Sequence, residues 1–165
     1  ERKILKRFKV TPISPVMLLT VEFLIYVIYS FISLATIIPV AMIFWKVEIH
    51  GSWLAFIGSW FLTILCTLSI GMMVGGIAKN TKTASVIACI LYFPMLIFSG
   101  ATLPFEVMPK GMQTIVQFFP ITQGIQLMKS TFLGTPLSNV WIPLFVMLAV
   151  TVICSGVAIK CFKWE

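Results

Sequence analysis

Residues 16–45 read VMLLTVEFLIYVIYSFISLATIIPVAMIFW, an apolar run of thirty positions whose one charged side chain is that of Glu22. A helix needs about 20 apolar residues to cross the hydrocarbon core of a bilayer. The run therefore predicts a membrane span that is longer than the minimum, and so tilted or kinked. Pro39 provides a place for a kink because it removes one backbone donor. Trp45 and Lys46 mark the membrane interface at the end of the span.

The composition of the whole chain indicates an integral membrane protein. Hydrophobic residues make up 59% of the 165 positions and charged residues 10%, whereas about 25% of an ordinary globular chain is charged. The mean hydropathy is +1.06. The net charge of +7 does not indicate nucleic-acid binding, because no aromatic and basic recognition motif accompanies the Lys and Arg residues. The expected surroundings are a lipid bilayer, with no nucleic acid as partner.

Three more apolar runs follow the first, and each is long enough to cross the membrane once. We therefore predict an all-α integral membrane protein, a single transmembrane domain over residues 1–165. Its four transmembrane helices lie at about 16–45, 53–78, 84–103 and 140–160. In the second run Gly71 and Gly75 form a GxxxG pattern with Gly76 next to it, at which another helix can approach closely.

The segment between the last two runs, residues 105–134, is amphipathic and too polar to span. It predicts two short helices that are separated by Pro120 and ended by Gly134, with Gln123 on the polar face of the second. Such helices lie along the membrane interface or fold back into one leaflet. We expect a short external amphipathic helical hairpin that either anchors the chain at the interface or acts as a lid.

The Lys and Arg residues predict the orientation. Four spans put both ends of the chain on one side, and nine of the twelve basic residues lie on that side. The other side holds Lys46, Lys110 and Lys129. Because cytoplasmic loops carry the excess of Lys and Arg, we expect a multi-pass protein of the cell membrane with both ends in the cytoplasm.

The sequence holds no pattern typical of a catalytic or metal site. The single histidine, His50, lies in a predicted external turn, and Ile77 stands where a phosphate loop requires lysine after its glycines. We therefore expect no enzyme activity, metal or cofactor in this chain. Glu22, the one acid within an apolar run, either pairs with the basic N-terminal segment or has a functional role. Four cysteines without CxxC spacing are interpreted as small core residues: Cys66, Cys89, Cys154 and Cys161.

The third run is interrupted by Pro94 and is aromatic, with Tyr92, Phe93 and Phe98 around the proline. These rings either pack against neighbouring helices or line a path for an amphipathic or hydrophobic cargo.

Three segments carry a pattern in order: residues 1–14, residues 98–104 followed by Met108-Pro109, and residues 119–122. Together they resemble the permease subunits of type-2 ATP-binding-cassette (ABC) exporters. The family's cytoplasmic signature runs Glu-Arg, Gly-Thr, Leu, Arg and Thr-Pro-x-Ser, and the opening ERKILKRFKVTPIS is similar to it, with Lys3 and Ile4 at the Gly-Thr position. Residues 98–104, FSGATLP, followed by Met108-Pro109, resemble the segment at the outer end of the family's fifth span. Residues 119–122, FPIT, resemble its Pro-x-Thr element. The residues that match the first signature are Glu1, Arg2, Leu5, Arg7, Thr11, Pro12 and Ser14.

The resemblance implies the last four spans of a six-span permease, which pairs with a second copy or a paralogue. An ABC ATPase subunit that binds ATP and Mg would supply the energy, and residues 1–14 would be the cytoplasmic coupling segment. The implied function is export of a drug, an antibiotic or a lipid-like cargo, in a bacterial cell. The implied ATPase-coupling residues are Glu1, Arg2, Leu5, Arg7, Thr11 and Pro12. The path would use Tyr92, Phe93 and Phe98, and the external gate Leu103, Pro104, Met108 and Pro120.

Two other functions stay open from the sequence alone. A secondary transporter or channel would predict more charge within the spans and internal repeats, neither of which is found. A membrane scaffold without transport activity has no positive sign in the sequence.

Overall fold

Six α-helices account for most of the chain in the computed structural model, which describes residues 15–46, 48–78, 80–100, 102–103, 107–134 and 141–161. The helices are α1 (Pro15–Trp45), α2 (Trp53–Ile77), α3 (Thr81–Ile97), α4 (Lys110–Val116), α5 (Pro120–Leu133) and α6 (Trp141–Cys161). These ranges contain no strand. The predicted all-α class is confirmed for the described residues.

Three of the helices are long and apolar enough to cross a membrane. They are Thr20–Trp45 within α1, the 25 residues of α2, and Trp141–Lys160 within α6. Their bounds agree with the predicted runs to within a few residues, because composition alone fixes where an apolar run begins and ends. Helix α3 is also apolar but has 17 residues.

Helix α3 ends at Ile97, short of the predicted end at residue 103. Two local features stop it. The hydroxyl of Ser99 donates a hydrogen bond to the carbonyl oxygen of Leu96 at 2.8 Å, and Gly100 has a φ of +84°, in the left-handed region that ends helices. At the other end the side chain of Asn80 accepts a hydrogen bond from the backbone N–H of Thr83 at 2.8 Å, an N-cap that satisfies a free donor of the first turn.

The centre of the fold is the pair α2 and α6, which run in the same direction. Cys66 of α2 and Met147 of α6 share a buried cluster with Leu127 of α5. Further along both helices the hydroxyl of Ser155 donates to that of Ser69 at 3.2 Å. Contacts that advance together along the two helices define a parallel pair.

The closest approach of α2 and α6 is at Gly76. A Cβ atom there would lie 3.2 Å from the carbonyl oxygen of Ala158, whereas one at Gly71 or Gly75 would meet nothing within 4 Å. The predicted close approach at this glycine cluster is present, and its contact point is Gly76, not Gly71 or Gly75. Residue 76 is the one that lies on the face of α2 toward α6.

Helix α5 lies antiparallel to the first half of α2. Gly124 contacts Thr63, Thr131 is hydrogen-bonded to Ser59 through their hydroxyls at 3.1 Å, and the backbone N–H of Gly51 donates to the carbonyl oxygen of Phe132 at 3.1 Å. A Cβ atom on Gly51 would overlap the carbonyl oxygen of Thr131. The absence of a side chain there lets the turn before α2 lie directly on the last turn of α5.

Helix α1 packs loosely against the rest of the fold. Its principal ring contact joins Phe31 to Trp60 of α2, with centroids 6.1 Å apart and planes at 64°, an edge-to-face arrangement. None of its most apolar stretch is buried. The helix continues through Pro39 to Trp45.

Candidate functional site

The aromatic residues of the third apolar run lie on α3 and at its end. Tyr92 and Phe93 contact each other edge to face, with centroids 6.2 Å apart. Their side chains are 49% and 55% exposed, and no residue of α3 is buried. Phe98 follows the last helical residue and is half-buried. Tyr92 and Phe93 thus form a paired aromatic surface that the described part of the chain leaves uncovered.

The predicted gate residues separate into buried and exposed members. Met108 is 4% exposed, and its carbonyl oxygen accepts a hydrogen bond from the side-chain amide of Gln113 at 2.8 Å. Pro120 is buried at the first position of α5, where its missing N–H costs no helical hydrogen bond. Leu103 is exposed. Pro104 lies outside the described residues.

The turn between α4 and α5 is held by a buried amide. Gln123 is 4% exposed, and its Nε2 donates to the carbonyl oxygen of Gln117. The prediction that Gln123 lies on a solvated polar face is therefore wrong. Helix α4 ends at Val116, so the carbonyl oxygen of Gln117 has no following helical turn to pair with. The amide of Gln123 is buried because it supplies the missing donor, and an unpaired carbonyl in an apolar region would cost free energy.

One hydroxyl of the same turn is not satisfied. Thr122 is fully buried, and its Oγ1 has no hydrogen-bond partner in the described part of the chain. The threonine belongs to the FPIT segment singled out in the sequence. Such buried unpartnered groups are uncommon in folded proteins.

The turn between α4 and α5 lies beside the middle of α2. Gly124 contacts Thr63, and a Cβ atom on Gly124 would lie 2.6 Å from the Cγ2 atom of Thr63. Thr63 is ten residues beyond Trp53, or about 15 Å at 1.5 Å per residue. The start of α5 therefore lies near the middle of α2, about half of a hydrocarbon core from its first residue.

Small polar residues of α2 join α5 and α6 into one unit. Ser59 bonds to α5 and Ser69 to α6, and Thr63 lies under Gly124. The sequence interpretation passed over these residues. The four-residue spacing of Ser59 and Thr63 was a signal that could have identified this contact, because small residues one turn apart favour helix contacts in membranes.

The residues implied to couple the chain to an ATPase lie outside the described part of the structure. They are Glu1, Arg2, Leu5, Arg7, Thr11 and Pro12. Glu22 lies on an exposed part of α1. The searched residues contain no group of three or more His, Cys, Asp or Glu side chains that could hold a metal ion.

Comparison with known proteins gives one family and several bacterial relatives. The family model described as ABC-2 family transporter protein matches residues 1–160. The inner membrane transport permease YhhJ of Escherichia coli (strain K12) is 24% identical over 155 residues, which cover 91% of this chain and 41% of YhhJ. Nodulation protein J of Rhizobium leguminosarum bv. viciae is 34% identical over 79 residues, 48% of this chain and 30% of that protein. The chain thus spans less than half the length of these relatives. No solved structure matches the chain.

Proposed function

Because the chain belongs to the ABC-2 family of transporter proteins, we propose that it is the membrane-spanning permease of an ATP-driven exporter. Its spans form the path for an amphipathic or hydrophobic cargo such as a drug, an antibiotic or a lipid-like molecule. A separate ATPase subunit, which binds ATP and Mg, drives the movement and docks on residues 1–14. The match of the family model over nearly the whole chain carries this proposal, and the membrane location rests on the three long apolar helices as well.

The proposed membrane part has four spans, with α3 as the third. Support comes from the parallel pairing of α2 and α6. When two spans run in the same direction, the chain between them must cross the membrane an odd number of times. Helix α3 is the one apolar helix of 17 residues or more between them in the described part of the chain, and 17 residues are at the lower limit for a span.

The proposed hairpin of α4 and α5 enters the membrane from the side at which α2 begins and turns back near its middle. The position of Gly124 beside Thr63 supports this depth. So does the buried amide of Gln123, since a turn within the hydrocarbon needs its backbone groups satisfied by protein. With nine of the twelve basic residues on the opposite side, this side is the outer one.

The proposed path runs along α3. Tyr92 and Phe93 are exposed and paired, and they and Phe98 face either the cargo or a second permease copy or paralogue. Met108 and Pro120, buried in the hairpin, fix its position. Leu103 and Pro104 connect it to α3, so a movement of the hairpin opens or closes the outer end of the path.

The proposal is tested by reversing one charge of the coupling segment. The permease carrying Arg7→Glu is reconstituted in vesicles with its partner ATPase. We expect normal membrane insertion, weakened co-purification of the ATPase and loss of transport-coupled ATP turnover, because like charges across a docking surface oppose association. Lys9→Glu is the matched control, since it makes the same charge change at a residue outside the matched signature.

Two results would contradict the coupling role. One is coupled ATP turnover of the Arg7→Glu permease at the level of the unmodified protein. The other is an equal loss with Lys9→Glu, which would assign the effect to attraction between the basic segment and lipid headgroups.

A further inference from the structure

A cavity of about 470 Å³ separates α1 from α2 and α5. On one side its wall is formed by α1, including Leu34, Ile38 and Met42, and on the other by the buried rings of Phe56 and Trp60 of α2. Phe132 of α5 closes a third side and is itself packed edge to face on Phe56 at 5.5 Å. The loose packing of α1 therefore leaves a cavity with defined walls that is partly open, since Ser33 and Ile37 of its lining are exposed.

The cavity has the length of one leaflet. Its lining residues on α1 run from Ser30 to Met42, twelve helical steps or about 18 Å. Half of a hydrocarbon core is about 15 Å. The cavity ends one turn before Trp45, the residue at the predicted interface, and its inner end lies at the contact of Phe31 with Trp60. It thus extends from the interface to the middle of the membrane.

The walls are suited to an alkyl chain. Ser30 and Ser33 are the two hydroxyl-bearing residues of the lining, and serine hydroxyls within helices commonly bond to the backbone of the preceding turn. The remaining walls are alkyl, thioether and aromatic. Apolar cavities of this kind stay dry and accept apolar guests.

The size suits a slender guest. A volume of about 470 Å³ has room for roughly 16 groups of the size of water or methylene, at ~30 Å³ each. That is the size of one long acyl chain.

We propose that the cavity between α1, α2 and α5 binds one acyl chain of a membrane phospholipid, in the leaflet nearest the turn between α1 and α2. The chain packs between Leu34 and Ile38 on one side and Trp60 on the other, and its headgroup lies at the level of Trp45. Since lipid and protein are equally apolar, the chain is held by packing contacts and not by the hydrophobic effect. This proposal depends on the membrane location and is independent of the ATPase and of the cargo path.

The test uses the full-length permease with its ATPase in phosphatidylcholine vesicles that contain a phosphatidylcholine with a diazirine midway along one acyl chain. After illumination, labelled residues are identified by mass spectrometry. We expect Leu34, Ile38 and Met42 to be labelled several-fold more than Ile32 and Ile43 of the same helix, which are exposed, lie outside the lining and bracket those three residues in depth.

Two matched variants separate a bound chain from passing lipid. Ala41→Phe fills the cavity, whereas Ala35→Phe makes the same change at an exposed position of α1 outside its lining. We expect the first to remove the excess labelling and the second to retain it. If Ala41→Phe does not reach the membrane, Ser33→Phe fills the same cavity from an exposed position of α1.

Equal labelling of the lining and the outward residues would overturn the proposal, as would excess labelling that survives a variant that fills the cavity. Weaker labelling of the lining than of the outward residues, which a protein segment covering the lining would cause, would overturn it as well. If the unmodified permease shows excess labelling of the lining but no transport-coupled ATP turnover, the proposed function is contradicted and the acyl-chain site is supported.

Discussion

Gly75 and Gly76 are neighbours in α2 whose surroundings differ. A side chain at Gly76 meets the backbone of Ala158, whereas one at Gly75 meets open space. We expect Gly76→Leu to destabilise the permease by about 1–3 kcal/mol through overpacking, and Gly75→Leu to have little effect. The measurement is the apparent melting temperature of the purified protein. Equal effects of both changes would contradict the assignment of Gly76 as the contact point.

The pair Thr122 and Thr131, both on α5, makes a second prediction at this scale. Thr122→Val removes a buried hydroxyl that has no partner, so stability should be kept or raised, because the cost of burying that group disappears. Thr131→Val removes hydroxyl contacts to Ser59 and to the backbone of Leu127 and should cost about 0.6 kcal/mol. Unfolding of the two variants in detergent gives the comparison.

A marked loss of stability in Thr122→Val would show that its hydroxyl has a partner after all. A stable Thr122→Val permease that no longer transports would instead assign the hydroxyl a functional role.

At the scale of elements, the contact between α5 and α2 rests on the fit of Gly124 against Thr63. Gly124→Ala places a methyl group 2.6 Å from the Cγ2 atom of Thr63, and we expect it to destabilise the protein by about 1–3 kcal/mol. Thr63→Ala removes the atoms that would clash, so the double variant should regain part of the loss. A double-mutant cycle in thermal stability measures this coupling. Additive effects of the two changes would contradict direct contact.

The sequence predicted the helices better than their contacts, for physical reasons. The limits of α1, α2 and α6 follow from apolar composition, which needs no knowledge of neighbours. The end of α3 depends on the backbone conformation of Gly100. The burial of Gln123 depends on how the turn between α4 and α5 packs. Both are set by local geometry and packing that a hydrophobic pattern does not carry.

The candidate site was predictable to a smaller extent. The aromatic residues of α3 were identified from their types, and the structure adds that Tyr92 and Phe93 are paired and exposed. Their role in a path remains a prediction. A close approach was predicted at the cluster of Gly71, Gly75 and Gly76. The GxxxG spacing joins only Gly71 and Gly75, whereas the position of α6 makes Gly76 the contact point.

At the scale of the whole molecule, the proposed topology predicts which residues face which side. With Cys66, Cys89, Cys154 and Cys161 replaced by serine, single cysteines are introduced as Lys129→Cys and Lys82→Cys, both at exposed positions. A membrane-impermeant maleimide added to intact cells should label the first and not the second. Labelling of both from outside would contradict the crossing of α3.

The partnership of Ser69 with Ser155, 86 residues apart in the chain, has a consequence for biosynthesis. Helix α2 enters the bilayer long before α6 has been synthesised, so its hydroxyl groups toward α6 first face lipid or bond to their own backbone. The contact of Ser59 with Thr131, 72 residues apart, forms earlier and the one with Ser155 last. A nascent chain that stops before residue 141 would display an unfinished helix surface to the quality-control proteases of the membrane, and the arrival of α6 would cover that surface.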